Sequence, residues 1–318
     1  MAYKRKLLIL SSLAALLSLV YILSLVFDPR RSLSRSAAYV WLESRLLDQA
    51  DRIVIQSPGL RVGLLRRNGA WLVSLGGDEY PARQLRVEDL LAALSRRAAY
   101  PLRALSASSH QQLGLEQGIS RITVMGGAGL PLLDLLIGKG GAAAREVYLR
   151  KANSNEVRSG EDVFTAYTGS ALSSWYDLRL FPKGPDAGDL QRLTVFPPAG
   201  GGEGRGSYSF TRSGNGWNLS GLETAGLDKG RIDSYIRGVL AAEGEDFIPP
   251  QAAPAPFPEE ARLVLELGNG AVLTLKLGPL EEGTKRRPAE VSGSPYTYAL
   301  AGWTVERLFR DAGYFEGR

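Results

Sequence analysis

The sequence predicts an α+β protein in which an N-terminal transmembrane helix is followed by two tandem repeats, each a mostly antiparallel β-sheet with one or two packed helices. Three observations predict this fold class. Similar hairpins stand at Arg121–Gly138 and Arg262–Gly278, further motifs recur in one order in both halves, and a long apolar run stands near the N-terminus. We expect a cytoplasmic tail and anchor over residues 1–35, a first repeat over 36–182 and a second over 189–318.

The apolar run Leu7–Phe27 contains no charged residue. As an α-helix it would be about 30 Å long, which is the thickness of the hydrocarbon core of a bilayer. A cleaved signal peptide is the alternative, but its apolar region is usually only about 7–15 residues long. Because Lys4, Arg5 and Lys6 precede the run, we expect a single-pass anchor in the cytoplasmic (inner) membrane, with the body outside the cytoplasm.

The second hairpin shows the β pattern most clearly. Leu263, Leu265 and Leu267 alternate with other residues, and a second alternating run follows the Asn269-Gly270 pair. Successive side chains of a strand point to opposite faces, so this alternation indicates one buried face and one wet face. An Asn-Gly pair between two such runs favours a tight hairpin turn.

The internal similarity extends beyond the hairpins. The matched segments are Arg52–Ile55 with Arg192–Val195, Asn68–Trp71 with Asn215–Trp217, Val87–Leu94 with Ile232–Leu240, and Ala171–Trp175 with Ala299–Trp303. Their common order predicts a duplicated body. The alternative interpretation is that hairpins and amphipathic helices recur in any α+β protein.

Each repeat is predicted to contain several strands and few helices. The predicted strands are Arg52–Gln56, Leu60–Arg67, Ala70–Leu75 and Glu146–Lys151. The predicted helices are Ala37–Ala50, Arg86–Arg97, Gly160–Leu172, Asp228–Ala241 with Asp228 as its N-cap, and Trp303–Ala312. The predicted irregular segments are the loop Ser106–Gly118, the linker Pro182–Gly188 and the proline-rich stretch Pro249–Pro258.

The composition excludes several classes of protein. The chain has no cysteine, so disulfides and thiol chemistry are excluded. Of its 38 basic and 33 acidic residues, six basic and one acidic residue precede residue 36, which leaves 32 of each sign in the body. The net charge of +5 therefore belongs to the flanks of the apolar run and does not indicate nucleic-acid binding.

No motif in the sequence predicts a catalytic, cofactor-binding or metal-binding residue. His110 is the only histidine and lies in a polar stretch, so we expect a solvated side chain. The glycine-rich segments Gly200–Gly206 and Gly138–Gly141 lack the Gly-Lys-Ser/Thr sequence and the following helix of a phosphate-binding loop.

Acidic pairs and tryptophans also favour structural roles. Neighbouring carboxylates on a wet surface do not form an acid–base pair, which requires a shared pocket and separated pKa values. These pairs are Glu88-Asp89, Glu245-Asp246, Glu259-Glu260 and Glu281-Glu282. Trp71, Trp217, Trp175 and Trp303 occupy matching places in the two repeats, and we expect burial; a platform for sugars is the alternative.

The pattern resembles the bacterial domain-of-unknown-function family DUF4340. The resemblance rests on Asn68–Trp71, the following helix, Leu113–Glu116 before Arg121–Val124, the glycine after Leu135–Ile137, and Val147–Arg150. It implies no known activity, but members often stand beside components of gliding-motility-type ABC transporters.

We therefore expect a non-catalytic, membrane-anchored extracytoplasmic accessory or scaffold protein of an ABC-type export or gliding-motility-like assembly, with membrane subunits as partners. The alternative is a cell-envelope module that binds glycan or peptide. Buried tryptophans favour the first function and exposed ones the second, whereas an enzyme requires a pocket of convergent carboxylates.

Overall fold

The computed structural model describes residues 17–18, 38–116, 120–141, 143–181, 186–198, 206–214, 216–221, 226–250, 252 and 256–317. Within these ranges, no helix combines the length and the apolar character needed to cross a membrane. The predicted span Leu7–Phe27 lies outside the described residues except for Leu17 and Ser18. The linker Pro182–Gly188 also lies partly outside them.

Strands dominate the described parts of the chain. The strands of the first half are β1 (Ala38–Tyr39), β2 (Ala50–Ser57), β3 (Leu60–Arg67), β4 (Ala70–Leu75), β5 (Asp78–Pro81), β6 (Ala98–Ala99), β7 (Leu102–Ala104), β8 (Ser120–Gly126), β9 (Pro131–Gly140), β10 (Glu146–Lys151) and β11 (Val157–Glu161). Those of the second half are β12 (Leu190–Phe196), β13 (Tyr208–Ser213), β14 (Gly216–Ser220), β15 (Asp246–Ile248), β16 (Ala261–Leu267), β17 (Val272–Leu277), β18 (Arg286–Val291) and β19 (Thr297–Ala301).

The described helices are few and short. The α-helices are α1 (Gln84–Ser95), α2 (Thr165–Thr168), α3 (Lys229–Leu240) and α4 (Gly302–Leu308). Short segments of 3-10 helix occupy Ser44–Gln49, Ala107–Ser109, Gly127–Gly129, Leu172–Trp175 and Ala312–Phe315. The predicted cap of α3 is confirmed, because the Asp228 side chain accepts a hydrogen bond from the Arg231 amide at 3.1 Å.

The two large sheets repeat one strand order. The first runs β5-β4-β3-β2-β8-β9-β10-β11-β7 and the second runs β14-β13-β12-β16-β17-β18-β19-β15, while β1 and β6 form a small separate pair. With β5 set aside, each strand of the first sheet has a counterpart at the same place in the second. This common topology agrees with the duplication that the sequence predicted.

The predicted fold class is wrong. Strands account for 44% of the described residues and helices for 22%, in three sheets, so the described protein is mostly β rather than α+β. No transmembrane helix supports the predicted anchor among these residues. Two predicted helices explain part of the difference. The only helical residues described between Ala38 and Ala50 are the 3-10 segment Ser44–Gln49, and the only α-helix described between Gly160 and Leu172 is the single turn α2.

Tertiary contacts override the helical pattern at Ala37–Ala50. Trp41 is 2% exposed, and its ring meets Tyr39 and Tyr100 edge-on with centroids 5.0 and 5.2 Å apart. The Leu42 amide donates to the Leu94 carbonyl at 3.0 Å, near the end of α1. A helix through residues 41 and 42 would give up both the ring contacts and this cap of α1.

Contacts divide the chain into two compact units. The first comprises the described residues of Met1–Trp71 and Leu85–Leu172, and the second comprises those of Leu72–Gln84 and Ser173–Arg318. Each unit has its own apolar core. In the first, the buried side chains include Ile53, Ile55, Val62, Leu64, Ile122 and Val124; in the second, they include Leu193, Val195, Phe210, Leu263, Leu265 and Leu275.

The repeats share hydrogen bonds as well as strand order. In the first unit, the turn after β10 is fixed by the Ala152 amide donating to the Asp134 carbonyl at 2.9 Å. In the second, the turn after β18 is fixed by the Ser292 amide donating to the Thr274 carbonyl at 2.8 Å. The turns therefore correspond in detail, although their sequences differ.

One predicted correspondence is wrong. The Arg83 amide donates to the Trp175 carbonyl at 2.8 Å, and the Asp228 amide makes the same bond to Phe315 at 2.9 Å. Trp175 therefore corresponds to Phe315 and not to Trp303. The short Ala-Leu-x-x-Trp match misled the alignment, because it pairs a 3-10 turn with the junction of a strand and a helix.

Candidate binding surface on the first sheet

The register of β2, β3 and β8 places arginines together on one face of the first sheet. Residues paired across neighbouring antiparallel strands lie on the same face. Arg52 pairs with Leu65 and Met125, Val54 pairs with Gly63 and Thr123, and Gln56 pairs with Arg61 and Arg121. We call the surface formed by these nine residues and Arg67 the open face. Its members are exposed or half-buried.

A loop covers the same face further along the sheet. Leu115, Leu136 and Val157 form a small buried cluster over β9 to β11. Partly buried residues pack around this cluster: Ala104, Leu113, Tyr148 and Ala152. The segment that follows β7 therefore buries one half of the face, and no described residue covers the half on β2, β3 and β8 in this way.

Arg150 holds this covering loop in place. Its guanidinium donates to the carbonyl oxygens of Ser154 at 2.9 Å, Ala152 at 3.2 Å and Leu115 at 3.3 Å. Burial lowers the pKa of Arg150 from its usual value, because a charged group loses hydration inside the protein. These bonds tie the loop before β8 to the turn after β10.

A glycine allows the covering loop to cross the sheet closely. A Cβ atom on Gly138 would lie 2.5 Å from the Leu113 carbonyl oxygen and 2.9 Å from Leu115 Cγ. In the second unit, a Cβ atom on Gly278 would lie 2.7 Å from the Phe257 ring. A side chain at the glycine that ends each repeated hairpin motif would therefore clash with a segment that passes over the strand. The sequence did not predict this contact.

Arg52 lies on the middle strand of the open face, in the row nearest the turn Gly126–Gly129. Its strand neighbours Leu65 and Met125 are half-buried and give it an apolar surround. These three residues and Arg67 line a depression of about 350 Å³, closed at one end by the turn Gly126–Gly129. The concave shape, the apolar floor and the cationic groups are features of binding sites.

The turn at the end of the depression has a strained backbone. Ala128 has φ 57° and Gly129 has φ 77°, and the Gly126 amide donates to the Leu130 carbonyl at 2.8 Å. Such values favour glycine, so an alanine at position 128 carries a conformational cost. Asp51 also lies at this end, with its carboxylate close to Gly127.

The arginines of the open face differ in their partners. Arg121 makes a two-pronged ion pair with Asp134, with Nε 2.6 Å from Oδ1, and this hydrogen bonding raises the pKa of Arg121. Within the described part of the chain, Arg52 and Arg61 have no hydrogen bond or ion pair to a protein group. Their charges are therefore available to a ligand.

The equivalent face of the second unit differs in how its charges are paired. On β2, β3, β8 and β9, the first carries Arg52, Arg61, Arg67 and Arg121 with Asp134, while Asp51 lies at the end of the depression and Glu79 lies further along the same side of the sheet. The second carries Arg192, Arg262 and Lys276 with Glu266 and Glu290. Arg192 lies 3.8 Å from Glu266, Arg262 lies 3.4 Å from Glu259, and Lys276 pairs across strands with Glu290. The two faces therefore differ in pairing: Arg192 and Arg262 lie near acidic partners, whereas Arg52 and Arg61 have none among the described residues.

His110, which was predicted to be solvated, is 7% exposed. Its Nε2 atom lies 3.3 Å from the Asn155 carbonyl oxygen, and its own carbonyl accepts from the Leu115 amide at 2.8 Å. The prediction failed because the polar stretch around His110 is part of the covering loop. His110 helps to hold this loop.

The other candidates from the sequence do not converge on a site. Glu88-Asp89, Glu259-Glu260 and Glu281-Glu282 are exposed on separate elements. Gly138 and Gly140 lie in β9, and Gly200–Arg205 lie outside the described residues. The ranges that the structure describes contain no group of three or more His, Cys, Asp or Glu side chains suited to holding a metal ion.

Asp246 lies in an aromatic environment in the second unit. Phe247 stacks on Tyr80 with centroids 4.9 Å apart, and Tyr176 and Tyr296 contact Phe247 at 5.1 and 5.2 Å. Burial raises the pKa of the Asp246 carboxyl above its usual range. The cluster packs the segment Leu72–Gln84 into the second unit, so we interpret it as core.

The tryptophans divide into buried and exposed. Trp71 is 3% exposed and Trp175 is fully buried, in agreement with the expected packing role. Trp217 is half-buried beneath Arg212, whose guanidinium carbon is 5.6 Å from the ring. Trp303 is 58% exposed, with Arg307 at 5.3 Å from its ring, so burial does not hold for this residue.

The open face was missed by sequence reasoning because charge was counted over the whole body. The signal was present in the spacing of Arg52, Arg61, Arg67 and Arg121, which all fall on one side of alternating strands. Their proximity depends on β8 pairing with β2, and that pairing joins segments about 70 residues apart.

The fold and the open face define a duplicated β-sheet protein with one basic, partly apolar sheet surface. Residues 75–263, more than half of the chain, match the family model described as Domain of unknown function (DUF4340). The chain therefore belongs to this family, as the sequence motifs indicated. No curated protein and no solved structure matches the chain.

Proposed function

We propose that this chain is a non-catalytic accessory protein that binds another protein through the open face. The observation that supports the proposal best is that Arg52 and Arg61 have no ion pair to a described residue, whereas Arg192 and Arg262 on the counterpart face lie 3.8 and 3.4 Å from Glu266 and Glu259. The same scaffold holds both faces, so folding alone does not require the difference.

The composition of the open face also suits a protein interface. Arginine and methionine are enriched at protein interfaces, where apolar residues form the centre and polar residues the rim. Met125, Leu65 and Val54 are half-buried at the centre of the open face, and Arg61 and Arg67 are exposed beside them. In keeping with the family resemblance, the proposed partner is a membrane subunit of an ABC-type export or gliding-motility-like assembly.

Site-specific photo-crosslinking in the native cell tests this proposal. A benzoyl-phenylalanine is placed at Val54 on the open face, and the matched control carries it at Thr194, the corresponding position of β12. We expect Val54 to capture a membrane subunit of a transport assembly and Thr194 not to capture it. Capture of the same proteins from both positions, or of none from Val54, would contradict the proposal.

A second candidate function is a cell-envelope module for glycan or peptide. The observation that favours it is Trp303, whose exposed ring and neighbouring Arg307 resemble a stacking surface for a sugar. A glycan array with the full chain and Trp303→Ala tests it. Binding that disappears in Trp303→Ala would support this function over the accessory role.

A further inference from the structure

We propose that the open face recognises an acidic, extended protein segment, and that Arg52 receives a carboxylate of this segment in the depression between Leu65 and Met125. This inference rests on the proposed function and names the chemistry of the partner. It follows from three features of the face: the free guanidinium groups, the apolar floor and the spacing of the charges.

The first feature is a guanidinium group that is ready to bind. Arg52 is exposed and has no hydrogen bond or ion pair to another residue that the structure describes, and the same is true of Arg61. A guanidinium presents two parallel N–H groups that match the two oxygens of a carboxylate. Arg121, in contrast, already holds Asp134 in this way, and that pair shows the geometry within the same face.

The second feature is the floor of the depression. Leu65 and Met125 flank Arg52 across the two neighbouring strands and remain half-buried. They leave an apolar surface, and its burial against a ligand is favourable because water is removed from it. A ligand that carries only charge would leave this surface wet, so the fitting partner has apolar side chains next to its acidic ones. Met125 adds adaptability, because its unbranched side chain packs against irregular shapes.

The third feature is the separation of the positive charges. Arg52 and the position of Arg61 lie four residues apart along β2, because Arg61 pairs with Gln56. At about 3.3 Å per residue this is roughly 13 Å. Acidic residues at positions i and i+4 of an extended segment that follows β2 have the same separation and point to one side. A segment with acidic residues at positions i and i+4 and an apolar residue at i+2 places all three side chains on one side and therefore fits the face.

The composition of the chain provides a direct reporter for the depression. The chain has two methionines, Met1 and Met125, and Met125 lines the proposed site. Labelling of the methionine methyl groups with carbon-13 thus gives two methyl signals, which Met125→Leu assigns. The ligand probe is a fluorescent peptide of repeated Glu-Ser-Leu-Ser, which in an extended conformation places Glu and Leu on one side, and its neutral match is repeated Gln-Ser-Leu-Ser.

We expect the acidic peptide to bind the full chain, to shift the Met125 methyl signal and to leave Met1 unchanged. Binding should weaken at higher salt, since screening reduces attraction between exposed charges. Arg52→Gln should raise the dissociation constant of the acidic peptide about tenfold, as expected for the loss of a hydrogen-bonded charge pair. Arg192→Gln, the matched variant on the second unit, should bind like the unmodified protein.

Several results would overturn the inference. These are equal binding of the neutral peptide, binding that Arg52→Gln does not change, and no shift of the Met125 signal. Recruitment to vesicles of anionic phospholipid that requires Arg52, without binding of the acidic peptide, would assign the face to a membrane surface instead. If Val54 captures a partner whose crosslinked segment is not acidic, the accessory function stands and this inference fails.

Discussion

Substitution of Gly138 by alanine tests whether the covering loop must cross β9 at close contact. The added Cβ atom would lie 2.5 Å from the Leu113 carbonyl oxygen and 2.9 Å from Leu115 Cγ. The first of these is a backbone atom, so the loop has to shift. Inserting a methyl group into such a packed place costs about 1–3 kcal/mol. The displaced loop would also weaken the bond from Arg150 to the Leu115 carbonyl.

Gly140→Ala is the matched control on the same strand. Its Cβ atom would lie 3.7 Å from the Glu146 carbonyl oxygen, which is an ordinary contact. Both substitutions reduce the freedom of the unfolded chain alike, so the difference between the two variants isolates the clash.

Urea unfolding monitored by the Met125 methyl signal reports on the first unit. We expect Gly138→Ala to lower the free energy of unfolding by about 1–3 kcal/mol relative to Gly140→Ala. In thermal unfolding, each kcal/mol corresponds to roughly 2–4 °C for a unit of this size. Equal stability of the two variants would refute the close crossing at Gly138.

Three further predictions concern stability. Trp175→Ala should cost about 3–5 kcal/mol because the side chain is fully buried, whereas Trp303→Ala should cost less than about 1 kcal/mol; equal urea midpoints would contradict this. The Glu146 carboxylate is held by Ser159, Ala143 and Arg103, which lowers its pKa from 4.5 to about 2, so its stabilising effect is present above pH 4.5 and is lost as the pH falls towards 2. Glu146→Gln should therefore be less stable than the unmodified protein at neutral pH and equally stable near pH 2. If the difference in the free energy of unfolding stays constant across this range, the ionised Glu146 carboxylate is not the stabilising group. His110→Ala should lower the free energy of unfolding by about 1–3 kcal/mol in urea titrations, since it opens a buried place under the covering loop; an unchanged midpoint would show that the loop does not depend on it.

Local patterns predicted the strands well. β3, β4 and β10 begin and end where the sequence placed them, and the Asp228 cap starts α3 as expected. These features depend on alternation and capping, which act between residues close in sequence. The helix at Ala37–Ala50 failed, because Trp41 and its aromatic neighbours stabilise an irregular backbone that no local pattern encodes.

The candidate surface was less predictable than the strands. Arg52 and Arg121 belong to one surface only because β2 pairs with β8, and the loop around His110 leaves this part of the face uncovered. The sequence predicted a solvated His110 because the polar residues around it do not indicate that this loop packs over the strands. The exposure of Trp303 and the burial of Trp175 likewise depend on tertiary neighbours.

By itself, the sequence determined the repeated hairpins, the family of the chain and the two apolar sheet faces, because periodicity and glycine turns are written in consecutive residues. Only the tertiary structure decided which side of the first sheet stays open and that, among the described residues, Arg52 and Arg61 lack the acidic partners that Arg192 and Arg262 have in the second unit. A strand fixes which residues share a face, whereas the long-range pairing of strands and the path of the covering loop fix what that face meets.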